Sequence, residues 1–399
     1  MQTTQVTIIG AGPTGLLCGI NLVNNDIKVR IFESRSEPSH LSRALAIHAG
    51  TLEYLEATHP SLLKKFLARG KKIQNLQIGE KYELDMSIIP SKFNYILLLE
   101  QEETEELMEA HLASLGVKVE RSCELIDAKN EERQVIAILK KDEEKFSVSS
   151  KYLIDCSGAH SIIRKQILKI PFRGEKYIGR LVMGDVKLRT NLPEYSGYLT
   201  GNENGNAAFL PLTSPQYFRI ILTPHKTISI PPQISIEFFQ DLCKTMAPNI
   251  ELDRENKWLT SFELSKRMVS KMRVGRIFLA GDAAHIHSPV GGQGMNLGLQ
   301  DSFNICYKLK RVLMDGFGER TLDNYEKQRL PIITKVLRLT NAAMRSGVEK
   351  SWISEVGLFF VRYIAAPIFF RSKFLQKKFL MIISQLNSAR EEMKRMRLL

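Results

Sequence analysis

The strongest constraint on the fold lies in the first thirty-three residues. Val6 to Ile9 is a short β-branched run, and Gly10-Ala11-Gly12-Pro13-Thr14-Gly15 follows it. Leu16, Ile20 and Val23 then recur at helical spacing, and Lys28 to Phe32 reads as a second strand. Strand, glycine turn, helix and strand form a βαβ unit, which implies a parallel sheet with helices packed on it. Glycines at 10, 12 and 15 let a ligand approach the backbone at a helix N-terminus, whose free N–H groups suit a dinucleotide's pyrophosphate. Glu33 closes the second strand about twenty residues further on, where a carboxylate can accept hydrogen bonds from ribose hydroxyls. A glycine turn alone also occurs for purely structural reasons; here strand, turn, helix, strand and carboxylate agree.

The alternation continues with a helix from Glu102 to Leu115, acidic at its start, and a strand from Val117 to Glu120. From about Phe172 to Leu264 the texture changes to short segments, such as Leu181 to Leu188, Ala207 to Leu212 and Tyr217 to Leu222, separated by Gly, Pro, Asn and Ser. That pattern predicts an antiparallel sheet. Arg276 to Ala280 resumes the buried-strand pattern, and Gly294 to Leu313 is helical. The expected architecture is α/β: a Rossmann-type nucleotide domain assembled from residues 1–70, 101–171 and 265–345, an inserted mixed or antiparallel sheet domain from 71–100 and 172–264, and a C-terminal helical segment, 346–399. With 399 residues and 44% hydrophobic side chains, the chain can fill two adjoining cores.

Lysine and arginine total 56 against 43 acidic residues, a net charge of +13, which suits an anionic ligand, nucleic acid or a membrane surface. No arginine-rich arm, zinc-finger spacing or aromatic-studded platform is present, which argues against nucleic acid. The five cysteines are scattered and read as small apolar residues in a reducing compartment. The N-terminus lacks the pattern of a secretory signal, so cytoplasmic residence is expected. Trp352 to Phe370 is barely long enough to span a bilayer and is interrupted by Glu355, Arg362 and Pro367. The expectation is a packed helix or, with Arg371, Lys373, Lys377 and Lys378 following, a segment peripheral to a membrane surface.

The βαβ start does not separate FAD from NAD; a second motif does. Gly275 to Ala280 is a strand that ends in Gly281-Asp282, and Ser288-Pro289-Val290-Gly291-Gly292-Gln293-Gly294-Met295-Asn296 is a glycine-rich loop entering a helix. A carboxylate at a strand end can hold a ribityl hydroxyl, and a helix N-terminus can face the negative pole of a reduced flavin ring. At these residues the chain resembles the p-hydroxybenzoate hydroxylase family of FAD-dependent monooxygenases, from the first strand to about Leu339.

The resemblance implies bound FAD, NADPH or NADH as a transient reductant, and no metal. Gly10, Gly12, Pro13, Thr14, Gly15, Glu33, Ser34 and Arg35 would serve the adenosine half, and Gly281 and Asp282 the ribityl chain. Pro289 would lie against the flavin ring, with Gly292, Gly294, Met295 and Asn296 at its pyrimidine edge. Arg43, within Ser42-Arg43-Ala44-Leu45-Ala46-Ile47-His48, matches an arginine that reaches the FAD phosphates, and Gln101 a glutamine that contacts FAD. His285 and His287 would form a backbone wall. No catalytic side chain is singled out, and Tyr177, Tyr198, Phe209, Tyr217 and Phe218 read as sheet core or cavity lining.

The implied reaction is hydroxylation of an aromatic small molecule, phenolic or polyketide-like, by O2 through a C4a-hydroperoxyflavin in a dry pocket. Other readings are inactivation of a tetracycline-type antibiotic, a quinone-pathway hydroxylase at a membrane surface, and an FAD-binding redox sensor without turnover. One departure stands out: relatives usually carry Asp-Gly where this chain has Ser157-Gly158.

Overall fold

The computed structural model describes residues 2–38, 44–287, 290–348 and 366–398. Strand β1 (Gln2–Ile9), helix α1 (Pro13–Val23) and strand β2 (Val29–Phe32) form the expected unit. β1 lies between β2 and strand Glu144–Asp155; Val119–Glu120 extends the sheet beyond β2 and Ile277–Leu279 extends it on the other side, all in parallel. The order is that of a Rossmann-type sheet, whose ligand crevice opens at the carboxyl ends of the two central strands. Those ends are Ile9 and Asp155, paired in register.

The first half of Glu144–Asp155 also pairs antiparallel with Val135–Lys141, which pairs with Cys123–Asn130. This meander is the part of the sheet that the strand–helix alternation did not anticipate.

The second sheet has eight strands, and one face is covered by helix Ile236–Met246. Phe239, Leu242 and Met246 of that helix form a core with Val186, Phe209 and Phe218 of the sheet. It is a mixed sheet, because Asn75–Ile78 runs parallel to Ser196–Asn202 while most other pairs are antiparallel. Strand Leu252–Met268 continues past residue 264, and His285–Ile286 returns to pair with its end. The uncovered face looks toward the crevice of the first sheet.

Three C-terminal helices, Ala366–Arg371, Lys373–Ile383 and Leu386–Arg395, join both halves. Phe370 stacks on Tyr82 of the second sheet at 4.4 Å, while Leu380, Leu386, Ala389 and Met393 are fully buried in the core of the first. Most of Trp352 to Phe370, the segment weighed as a membrane span, lies outside the described residues. No described helix is long and apolar enough to cross a membrane.

Candidate active site

Two turns meet at the crevice. Gly10 has φ +99°, and a Cβ there would fall 2.4 Å from the Cys156 carbonyl oxygen. At Gly15 a Cβ would fall 2.0 Å from the Gly10 carbonyl oxygen. Gly12 differs: its φ is an ordinary −74° and a Cβ would meet nothing within 4 Å. Two glycines therefore serve the fold, whereas the third leaves open space at the start of α1, a helix that no side chain caps.

Glu33, at the end of β2 and 6% exposed, accepts the Ala11 N–H at 2.9 Å and the Arg35 N–H and Nε at 3.1 and 3.0 Å. Burial pushes its carboxyl up, but the Arg35 guanidinium and the two backbone donors outweigh burial, so the pKa ends below the ordinary value. Ser34 adds a bond to the same carboxylate at 3.3 Å. Gln101 accepts from the Ala44 N–H at 3.2 Å and donates to Glu105 at 2.8 Å.

The Gly281 turn is held from behind. Gly281 has φ +60°, and its N–H donates to Asp301 at 3.0 Å. Asp301 is fully buried and also accepts from His285 Nε2 at 2.6 Å and Arg329 Nε at 2.7 Å. Burial raises its carboxyl, yet His285 and Arg329 outweigh that and keep it below the usual range. Arg164 bridges the turns by donating to the carbonyls of Ala283 at 2.9 Å and Ala159 at 2.6 Å. Asp301 and Arg329 are not singled out by the sequence, because the partners that Asp301 gathers are scattered along the chain. Asp282 itself is exposed into the cleft.

Gly291 and Gly292 are consecutive left-handed residues, φ +76° and +62°, entering helix Gln293–Leu313, which has no side-chain cap. Gly292, Gly294 and Met295 line the cleft. Asn296, expected at the pyrimidine edge, does not. Its buried side chain accepts the His48 N–H at 2.9 Å and the Thr51 hydroxyl at 2.8 Å, and donates to the carbonyls of Ala46 and Gly292 at 2.9 and 2.8 Å. It shapes the loop and offers no side-chain atom to a ligand. His48 Nε2–H donates to the Gly291 carbonyl at 2.7 Å, and burial pulls its pKa down to about 4, so the ring is neutral. Arg43 and Pro289 lie outside the described residues.

One connected cleft of about 2780 Å3 takes in Gly10, Gly12, Pro13 and Thr14 at one end, and Glu33, Ser34, Arg35 and Gln101 beside them. It passes Ser157 and Asp282 and continues beneath the second sheet, whose Leu76, Leu181, Leu199, Leu210, Ile221 and Phe262 form an apolar wall. Gly15 and Gly281 are structural and lie behind it. None of Tyr177, Tyr198, Phe209, Tyr217 and Phe218 is among the described residues that line it. Fully buried Arg219 pairs bidentately with Asp185 at 2.8 Å and donates to the Ala44 carbonyl at 3.1 Å, tying the second sheet to the first domain. The Ser157 hydroxyl donates to Asp155 at 2.6 Å; Asp155 is fully buried and takes no part in the cleft surface.

Residues 3–340 match the family model described as an FAD binding domain. An uncharacterized aromatic compound monooxygenase of Bacillus subtilis (strain 168) is 33% identical over 383 residues, 92% of this chain and 75% of that protein. The chain belongs to this family and is an FAD-dependent monooxygenase. The 6-methylpretetramide 4-monooxygenase of Streptomyces rimosus is 31% identical over 351 residues, 85% of this chain and 61% of that protein. The solved anhydrotetracycline hydroxylase of Streptomyces rimosus has a TM-score of 0.79 at 27% identity, over 97% of this chain and 76% of its own. The p-nitrophenol 4-monooxygenase of Pseudomonas putida DLL-E4 shares the fold with a TM-score of 0.85 at 23% identity, over 97% and 99%.

The residues of this FAD-dependent monooxygenase fit the cofactor. The space left by Gly12 lies at an uncapped helix start, an ionised carboxylate stands beside it, and a second uncapped helix start borders the same cleft. The cleft also exceeds the roughly 300–1,000 Å3 of a site for one drug-sized ligand.

Proposed function

We propose that this monooxygenase inserts one oxygen atom of O2 into an aromatic small molecule, phenolic or polyketide-like, at the expense of NADPH or NADH. The observation that carries this reading is the continuity of one cleft from Gly12 and Glu33, past Asp282, to the apolar wall under the second sheet. Bound FAD supplies acceptance of hydride from the nicotinamide and activation of O2.

The protein's part is to hold and to shield. The α1 N-terminus at Gly12 would receive the pyrophosphate, Glu33 a ribose hydroxyl, and Asp282 a ribityl hydroxyl. Gly292, Gly294 and Met295, at the second helix start, would border the pyrimidine edge, in a loop whose shape Asn296 and His48 maintain. The aliphatic wall excludes water and accepts a flat apolar ring system. Its extent favours a substrate with several rings over a single small phenol. Lys165, Lys169 and Arg267 line the same cleft and suit the phosphates of a nicotinamide dinucleotide.

The test is a panel of phenols and polycyclic aromatics, scored together for NADPH and NADH oxidation and for product mass. A product one oxygen atom heavier, formed with stimulated nicotinamide oxidation, is expected. Nicotinamide oxidation that yields only hydrogen peroxide across a broad panel would remove the hydroxylase reading while leaving the FAD-binding family intact.

A further inference from the structure

Helix Lys373–Ile383 buries Gln376 and Leu380 and turns its opposite side outward. Phe374 is 73% exposed there, Leu375 and Phe379 are exposed beside it, and Ile368 in the preceding helix is 57% exposed. Lys377 and Lys378, three and four residues after Phe374, share its face. Arg371 and Lys373, both exposed, stand where the two helices join. From Ala366 to Ala389 the chain contains no aspartate or glutamate. On this segment the apolar side chains are accompanied by cations only, while Glu83 and Asp85 lie on the strand Tyr82–Asp85 that Phe370 stacks against.

This pattern discriminates among occupants. A second copy of the same face would set four cations against four, which like-charge repulsion disfavours. A bilayer with anionic headgroups satisfies both components: the ammonium groups meet phosphates while the Phe374 ring and the stems of the lysines enter the acyl boundary. The same helix contributes Phe379 and Ile383 to the cleft lining, and Phe379 packs edge-on against Phe369 at 5.6 Å. The outward face and one edge of the cleft are therefore parts of a single rigid element.

We propose that the outward face of helix Lys373–Ile383, extended by Ile368 and Arg371, is a docking surface for an anionic phospholipid bilayer and lays the Phe379 edge of the cleft against the membrane. Docking gives an apolar substrate dissolved in lipid a short path to the site. The inference goes beyond the proposed function, and its test requires no turnover.

The experiment floats the FAD-loaded full chain with vesicles of phosphatidylcholine containing phosphatidylglycerol, and with vesicles of phosphatidylcholine alone. Wild type is expected to float with the anionic vesicles only and to be released by high salt. K377Q/K378Q should weaken binding about thirtyfold, at about fivefold per lysine. F374S should weaken it about tenfold, from the loss of one inserted ring. FAD content and circular dichroism report folding of the variants, and the salt dependence of the wild type stands without them. The proposal is overturned if wild type fails to float with anionic vesicles at low salt, or binds both vesicle types equally. It is overturned too if K377Q/K378Q and F374S both float as wild type does, which would place the lipid contact elsewhere on the molecule. A concentration-dependent dimer abolished by F374S, without vesicle binding, would assign it to a second copy.

Discussion

Glycines that look alike in the sequence separate once their surroundings are known. Gly12→Ala adds a methyl group to open space, so the stability of the apoprotein should be unchanged; the methyl would occupy the ligand's approach, and FAD affinity should fall about tenfold or more, as overpacking by a methyl group costs about 1–3 kcal/mol. Gly15→Ala forces a Cβ to 2.0 Å from a carbonyl oxygen and should lower the apoprotein's unfolding midpoint as well. Thermal melts of the apoproteins with FAD titrations check this pair, and equal destabilisation by both would refute the division of labour. Ser157 also changes meaning. Its hydroxyl serves the buried Asp155, whose carboxyl burial already pushes up, so Ser157→Asp would set two carboxylates against each other. Ser157→Asp would restore the residue that relatives usually carry here. With this geometry Ser157→Asp should lose stability, whereas Ser157→Asn keeps a donor for Asp155. Anaerobic stopped-flow reduction of Ser157→Asn, with and without substrate, reports on the position separately from that strain; unimpaired stability of Ser157→Asp would contradict the charge argument.

At the scale of elements, His59 joins three helices. It precedes Pro60–Arg69 and follows Ala49–Thr58; its Nε2–H donates to Asn21 at 2.7 Å and its Nδ1 accepts from Asn24 at 2.9 Å, both at the end of α1. That pattern requires the neutral ring, and burial, reinforced by His111, lowers its pKa to about 4. His48 is lowered to about 4 as well, by burial. An unfolded histidine titrates near pH 6.5, so between about 6.5 and 4 the unfolded chain binds more protons, and stability falls as pH falls. The loss reaches at most about 3 kcal/mol per histidine, and His59→Gln should remove roughly one proton's worth of the slope. Denaturant midpoints from pH 7 to 4.5 test this; an unchanged slope in His59→Gln would mean that the folded ring is already charged. The three-helix junction left no trace in the sequence, whereas β1, the glycine turn and α1 were legible. A strand and an amphipathic helix are periodic within a dozen residues, but nothing periodic links His59 to Asn21. Likewise Asp282 and Gly294 stood out within one local motif, while the commitment of Asn296 to His48 and Thr51 depends on the start of helix Ala49–Thr58, 245 positions away at Thr51.

At the scale of the whole molecule, the C-terminal helices close the structure. The sequence marked residues beyond 345 as a helical segment of basic character, yet helix Leu386–Arg395 is part of the first domain's core. Buried Arg329 links Asp301, behind the Gly281 turn, to Glu392 at 3.0 Å, and Glu392 also accepts from Tyr54 at 2.9 Å and Asn304 at 2.8 Å. Burial lowers Arg329's pKa, but Glu392 and Asp301 outweigh it and hold the group charged. The same helix makes a partly exposed pair, Arg390 with Glu53 at 2.6 Å. The two pairs differ in solvent access, and their energetics should differ accordingly. Removing one partner of a buried pair leaves a charge without compensation and costs about 3–5 kcal/mol, whereas a solvated pair contributes about 1 kcal/mol or less. Glu392→Gln should therefore lower the urea midpoint far more than Arg390→Ala, and by loosening the support behind Gly281 it should also weaken FAD retention. If Glu392→Gln is no more damaging than Arg390→Ala, the C-terminal helix is an appendage whose docking the core does not require. If it lowers stability but leaves FAD affinity untouched, the chain from Glu392 through Arg329 and Asp301 stabilises the domain without positioning the Asp282 turn.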